Sequence, residues 1–201
     1  MFRTVFLPLC MVCLSWGVAA AQDWQPMFDG YSFRGWTLQN GKPVDVPGWT
    51  ISRGVVHLNR DRGRGGNLLT DEVYGDFELI FEWKIAEGGN NGVKYRVNDF
   101  GGRVLGIEYQ MIHDHTRQLK PRYRTASLYD IYEPKPHNRL RPTGEYNRSR
   151  ILVRDSHIEH WLNGYLVAEA EVGSDAWQAR LSKSKFAKVE GFGVTPTGRI
   201  M

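Results

Sequence analysis

The stretch of this chain richest in reactive groups is Glu108-Tyr109-Gln110-Met111-Ile112-His113-Asp114. Read as a strand, its parity puts Glu108, Gln110, Ile112 and Asp114 on one face and Tyr109, Met111 and His113 on the other. A carboxylate, an amide and a second carboxylate in a row are costly over a core, so that face is expected to look onto water or a groove. The preceding alternating run offers Lys94 and Arg96 in the same manner. Acid, amide and cation together suit a sugar site. Planar polar groups bind hydroxyls, and a carboxylate near a cation can serve as general base. An ordinary solvated sheet face laced with cross-strand ion pairs shows the same pattern. Glu108 and Asp114 do not form a glycosidase pair, because the strand between them spans roughly 20 Å at ~3.3 Å per residue. An acid and a base would have to come from different strands.

His113-Asp114-His115 is the metal candidate. The two histidines lie two apart, so both could face one cation with Asp114 elsewhere. No third ligand is visible nearby, and a divalent metal stands as a candidate cofactor only. No Gly-x-Ser-x-Gly motif supports a serine triad. The glycine clusters at 63–66 and 101–102 do not follow a strand and open a helix, which removes a phosphate-binding reading. Trp36 and Trp49, in loop-like context, are the candidates for stacking on a sugar, whereas Trp83 belongs to the apolar face of its strand and is expected in the core.

The elements that must position these residues read as antiparallel strands. Segment 76–85 alternates cleanly, with Phe77, Leu79, Phe81, Trp83 and Ile85 on one face and Glu78, Glu82 and Lys84 on the other. Gly88 to Gly92 turns the chain into a strand carrying Val93, Tyr95 and Val97, and 104–114 forms another. Residues 49–58 read as a hairpin around Arg53-Gly54. Segments 149–154 and 157–162 are strands, and Asn163-Gly164 is a two-residue hairpin turn leading to Tyr165–Glu171. One helix is expected at 174–186, capped by Ser174 and with Trp177 and Leu181 four apart. Many short strands with glycine-rich turns and one short late helix predict an all-β sandwich.

A length of 201 residues allows one domain or at most two, and 41% hydrophobic with 12% aromatic residues excludes disordered, collagenous and coiled-coil chains. The formal charge of +4 is mild and its basic residues are scattered among acids, so no nucleic-acid partner is expected. The mean hydropathy of −0.44 excludes a polytopic membrane protein. Arg3, the uncharged apolar run Val5 to Val18 and Ala19-Ala20-Ala21 before Gln22 form a secretory signal peptide over 1–21. The run is short and interrupted by Pro8 and Gly17, so no stable membrane insertion is expected after cleavage. The mature domain, 22–201, would then be exported to the periplasm or beyond. Cys10 and Cys13 both lie in the leader, which removes disulfide, thiolate-metal and cysteine-nucleophile readings together.

Several blocks, taken in order, carry a family resemblance. They are Met27-Phe28-Asp29-Gly30 with Gly35-Trp36, Tyr74-Gly75-Asp76-Phe77-Glu78-Leu79, Gly89-Asn90-Asn91-Gly92-Val93 with Arg96, Glu108-Tyr109-Gln110, His160-Trp161-Leu162-Asn163-Gly164, and Ser184-Lys185-Phe186 through Gly193. The chain resembles the bacterial secreted 3-keto-disaccharide hydrolase family, also described as 3-keto-glucoside lyase/hydratase. The resemblance implies a concanavalin A-like lectin/glucanase jelly-roll sandwich that cleaves glycosides already oxidised at C3. It implies Glu108 as base, Arg96 as an enolate or hydroxyl clamp, and Gln110 and Asn91 as sugar binders. Lys94 and Trp36 join them as substrate-binding candidates. The family more often shows Asp-Asp where this chain has His113-Asp114. The family also continues beyond Ile200 with a final apolar strand, so the domain is expected to lack its C-terminal strand and to leave a sheet edge bare. A non-catalytic carbohydrate-binding module and an inactive truncated relic are the alternative readings.

Overall fold

The computed structural model describes residues 24–63, 65–114, 118–136 and 139–201. The expected signal peptide, residues 1–21, and His115 lie outside the described residues. Among the described residues, eight of ten strands are arranged in two antiparallel layers, the all-β jelly-roll sandwich with one short late helix that the sequence predicts.

The first layer contains β5 (Phe77–Trp83), β8 (Asn147–Arg154), β9 (His157–Leu162) and β10 (Tyr165–Glu171) in the order β10-β9-β8-β5. Asn163 and Gly164 have φ of 48° and 86° between β9 and β10, the left-handed pair that a tight two-residue hairpin requires. The second layer is built on the hairpin of β6 (Asn90–Asp99) and β7 (Val104–Ile112). Beside β6 run residues 198–201, whose Met201 exchanges backbone hydrogen bonds of 2.8 Å with Lys94 in both directions. Ile200 O in turn accepts from Thr70 N at 2.9 Å, which attaches β4 (Leu68–Thr70) and its partner β1 (Trp36–Leu38). Beyond β7, Leu128 bridges Tyr109. Across this layer the order is therefore β1, β4, 198–201, β6, β7 and the segment around Leu128. The hairpin of β2 (Trp49–Ser52) and β3 (Val55–Leu58) stands apart from both layers.

Between the layers pack Tyr95, Ile107 and Tyr109 from one side and Ile151, Val153, Ile158, Leu162 and Val167 from the other. Each such buried aliphatic side chain stabilises by about 1.5–3 kcal/mol before entropy is charged against it. Trp83 is in this core, as its parity predicts, and its Nε1 donates to Ser149 Oγ at 2.8 Å. The helix, α1 (Asp175–Leu181), starts where Ser174 Oγ accepts from Trp177 N. It stops short of the predicted residue 186, because the hydroxyls of Ser182 and Ser184 bond back to the carbonyls of Ala179 and Leu181 at 3.1 and 2.8 Å and favour turns over further helix.

Two local expectations need correction. The turn predicted at 88–92 is shorter, because Asn90, Asn91 and Gly92 already pair with Ile112, Met111 and Gln110. Trp36 and Trp49 sit in strands rather than loops. Residues 198–201 run beside β6, with Ile200 buried; among the described residues β10 and β5 are the two edges of the four-stranded sheet. Among the described residues no helix is long and apolar enough to cross a membrane.

Candidate functional site

On the outward face of the β6–β7 hairpin, Lys94 lies directly opposite Glu108, and Gly92 opposite Gln110. The Glu108 side chain leans across its neighbour strand over Gly92, where any Cβ would collide with the carboxylate. A glycine is needed there for close approach, not for its φ. Tyr129 N donates to Glu108 O at 3.0 Å and brings the next segment alongside. The following residue, Asp130, is buried with φ of 64°. Its Oδ2 accepts from the backbone N of Lys185 at 2.7 Å. Its Oδ1 lies 2.8 Å from Arg122 Nε, an ion pair by distance whose angle is poor for a hydrogen bond. Asp130 thus draws the 184–186 turn to the sheet, and Lys185 Nζ stands 4.2 Å from the Tyr129 ring centroid. Residues distant in the chain meet around one carboxylate.

Glu108 is half-buried. Burial raises its pKa above the ordinary carboxylate value, and Lys94 and Lys185 pull it partly back. Its carboxylate makes no hydrogen bond or ion pair among the described residues. Burial lowers the Lys185 pKa, with Glu108 opposing and Lys94 adding to the fall. Burial, then the charge of Glu108, raises that of Tyr129. Beside Glu108, Gln110 is 2% exposed and its Oε1 has no partner among the described residues. Ser127, on the segment paired with Gln110, is fully buried and its Oγ has no partner among them either. Each buried polar group left unsatisfied costs about 1–3 kcal/mol, so several side by side describe a place that a polar ligand relieves.

Behind this face, β7 is held to the first layer by a buried polar network. His160 Nδ1 is 3.1 Å from Ala126 O, so it carries the proton, and Nε2 accepts from Tyr95 OH at 2.8 Å. Burial pushes the His160 pKa down to about 4, leaving the imidazole neutral at pH 7. Tyr109 OH lies 2.7 Å from Ser149 Oγ and donates to Trp161 O at 3.2 Å. Tyr109 is thereby fixed inward, and by alternation Glu108 and Gln110 are fixed outward.

Of the residues singled out in sequence, Glu108, Gln110 and Lys94 come together. Arg96 does not join them. The register shifts between Tyr95 and Asn98, Arg96 has φ of 49°, and this bulge turns it off the face that parity assigned. Its guanidinium donates to Asp155 O at the β8–β9 turn and faces Asp76. Asn91, opposite Met111, is on the other face of β6, with its Oδ1 accepting from Gly92 N at 2.8 Å. Trp36 is four strand positions from β7, about 19 Å at ~4.8 Å per step, and its Nε1 donates to Met27 O at 2.8 Å. His113 Nε2 lies 2.9 Å from Thr143 Oγ1, whereas Asp114 accepts from Thr125 N at 3.0 Å. The two use separate segments and do not converge. Among the described residues no group of three His, Cys, Asp or Glu could hold a metal. Sequence reasoning missed Tyr129, Ser127, Asp130 and the role of Lys185. Only Lys185 left a signal, in the Ser184-Lys185-Phe186 block.

Comparison with known proteins follows the same line. A family profile described as the 3-keto-alpha-glucoside-1,2-lyase-like domain matches residues 23–201. The chain is 31% identical over 191 residues to the 3-keto-disaccharide hydrolase of Bacteroides thetaiotaomicron, covering 84% of this chain and 65% of that protein. It thus spans just under two thirds of that relative's length. A crystal structure of a candidate glycosyl hydrolase from Parabacteroides distasonis is similar with a TM-score of 0.74 at 30% identity, over 87% of this chain and 83% of that one. A second candidate glycosyl hydrolase from the same organism, with a TM-score of 0.66 at 22% identity over 89% of each chain, shares the fold.

Proposed function

The chain belongs to the 3-keto-alpha-glucoside-1,2-lyase-like domain family, and from that premise we propose that it cleaves glycosides whose sugar carries a ketone at C3. The ketone acidifies the hydrogen at C2. Glu108 takes that proton, and the C–H electron pair moves into an enolate whose oxygen lies toward Lys94 and Lys185. Collapse of the enolate forms the C1–C2 double bond and expels the aglycone oxygen from C1, which leaves with a proton. Water then adds across the enone, hydroxyl to C1 and hydrogen to C2, so the net change is hydrolysis. Gln110 Oε1 and Ser127 Oγ lie buried beneath this face without partners among the described residues, and would accept from sugar hydroxyls only once substrate binding uncovers them.

The observation that carries this reading is the Glu108 carboxylate itself. It is half-buried and without a hydrogen-bond or ion-pair partner among the described residues, its pKa is raised by burial, and cations stand on two sides of it. A base needs a proton affinity above that of a solvated carboxylate, and an enolate needs positive charge waiting for it. Both are supplied by the same packing. The test is an assay of the purified chain on a 3-keto-disaccharide beside its unoxidised parent. Product is expected from the ketone substrate alone, with kcat/KM lowered about 10³-fold in Glu108→Gln. Full activity in that variant removes the base assignment, and saturable sugar binding without turnover replaces the enzyme with a binding module. On this reading the substrate is met outside the cytoplasm, and sequencing the exported protein is expected to give Gln22 as its first residue.

A further inference from the structure

We propose that the chain carries a second sugar-binding site, remote from Glu108, which takes a neutral carbohydrate unit in the cleft beside the β1–β4 pair. The cleft measures about 940 Å³. That lies within the roughly 300–1,000 Å³ of small-molecule sites.

Its polar side is built from amides. Gln39 N donates to Asn67 O at 3.0 Å, which sets the two side chains together, and Asn67 Nδ2 donates to Gln39 Oε1 at 2.7 Å. That bond uses one donor and one acceptor of the couple. Gln39 Nε2 and Asn67 Oδ1 are left, a donor next to an acceptor, which is what two adjacent ring hydroxyls require. Asn40 adds a further amide nitrogen, its Oδ1 being engaged by Lys42 N at 3.1 Å. The apolar side is Leu38 and Leu58, suited to the C–H face of a sugar ring.

The remaining wall is backbone. A Cβ on Gly65 would strike the Trp49 indole and reach within 2.9 Å of Leu58 Cδ1, and one on Gly48 would come within 2.6 Å of Gly65 N. Trp49 Nε1 fixes the ring by donating to Gly66 O at 3.0 Å. The concavity is therefore formed by main chain pressed against a locked ring. Among the described residues that line it none is charged, in contrast to the surroundings of Glu108. Amides beside leucines suit a ligand rich in hydroxyls that also presents an apolar C–H face. β1 is about 19 Å across the layer from β7, so a single sugar ring cannot occupy both places.

The test uses unoxidised cellotetraose and maltotetraose, followed by calorimetry and by amide NMR shifts of the full chain. At least one is expected to bind saturably, with shifts at residues 38–40 and 65–67. Asn67→Ala and Gln39→Glu are each expected to weaken binding about tenfold, the worth of one lost hydrogen bond. Gln39→Glu keeps an oxygen that receives Asn67 and puts a charged acceptor in place of the outward donor, so it reports on the site even where Asn67→Ala disturbs the fold. Both variants are expected to hydrolyse a 3-keto-disaccharide within twofold of the parent chain. No saturable binding of either tetrasaccharide, or binding that Glu108→Gln abolishes and Gln39→Glu leaves intact, overturns the proposal. Neither outcome depends on whether the ketone substrate is turned over.

Discussion

The outer faces of the two layers carry similar residues and use them differently. On the four-stranded sheet, Arg150 pairs with Glu78 and, at 3.4 Å, with Glu159. His157 stands between Glu159 at 3.1 Å and Glu171 at 2.5 Å, and Trp161 Nε1 donates to Glu159 at 2.7 Å. These charges find partners, on the neighbouring strands or within β9. On the β6–β7 face, Glu108 has lysines on two sides, yet its carboxylate has no bonded partner among the described residues, and buried Gln110 Oε1 beside it has none either. Cross-strand charge alternation is thus no mark of a site by itself. The mark is a polar group that packing has removed from water without supplying a partner.

The most severe way to break this comparison is to neutralise one carboxylate on each face. Glu108→Gln is expected to cost about 10³ in kcat/KM, some 4 kcal/mol of transition-state stabilisation, while its melting temperature holds or rises. Burial had raised the carboxyl pKa, so the charge opposed folding at pH 7 and its removal does not. Glu159→Gln is expected to do the reverse, with activity within twofold and a lowered melting temperature. Equal losses of activity in both variants would erase the distinction between the faces.

Next in size is the acid sensitivity of the core between them. The folded pKa of His160, about 4, lies below its ordinary value of 6.5. The unfolded chain therefore binds more protons as pH falls. Stability is complete above pH 6.5 and is lost between 6.5 and 4, by about 3 kcal/mol for this residue. Urea unfolding at pH 7, 5.5 and 4 measures it, and the slope is expected to shrink in His160→Gln. His157, on the outward side of the same strand, has its pKa raised, by Glu171 first and Glu159 second. Its contribution is present below pH 6.5 and is lost as pH rises through the raised value, with solvent screening keeping it small.

Gly92→Ala sharpens the comparison without touching a charge. The new methyl displaces the Glu108 carboxylate and is expected to lower kcat/KM 10- to 100-fold, about 1.4–2.7 kcal/mol, with KM less affected than kcat. An unchanged kcat means that the carboxylate's position over Gly92 has no role. The smallest effect belongs to Arg150→Met, where partly exposed ion pairs are worth about 1 kcal/mol or less and fade with added salt. Chemical denaturation at low and high salt measures that difference.

Much of the scaffold was legible from the sequence. The alternation of Phe77, Leu79, Phe81 and Trp83, the Asn163-Gly164 turn and the Ser174 cap are local signals, written by neighbours within a few residues, and each appears where it was expected. The shared face of Glu108 and Gln110, with Lys94 on the same side of its own strand, follows from the same period of two, whereas the register that sets Lys94 opposite Glu108 comes from the fold. Arg96 and Asn91 show where that arithmetic fails. A single bulge after Tyr95 resets the parity for Arg96, and no residue type announces it. Asn91 differs from Asn90 by one position, which on a strand is the difference between opposite faces.

By itself the sequence determined which strands alternate, where the chain turns, and that an acid, an amide and a cation share one face. Those properties depend on residues adjacent in the chain. Only the tertiary structure decided that Tyr129, Ser127 and Lys185 close around Glu108, that Arg96 serves the β8–β9 turn, and that Gln39 and Asn67 flank a cleft of their own. Those properties depend on contacts between distant segments, settled by which buried groups could find partners when the two layers packed and which could not.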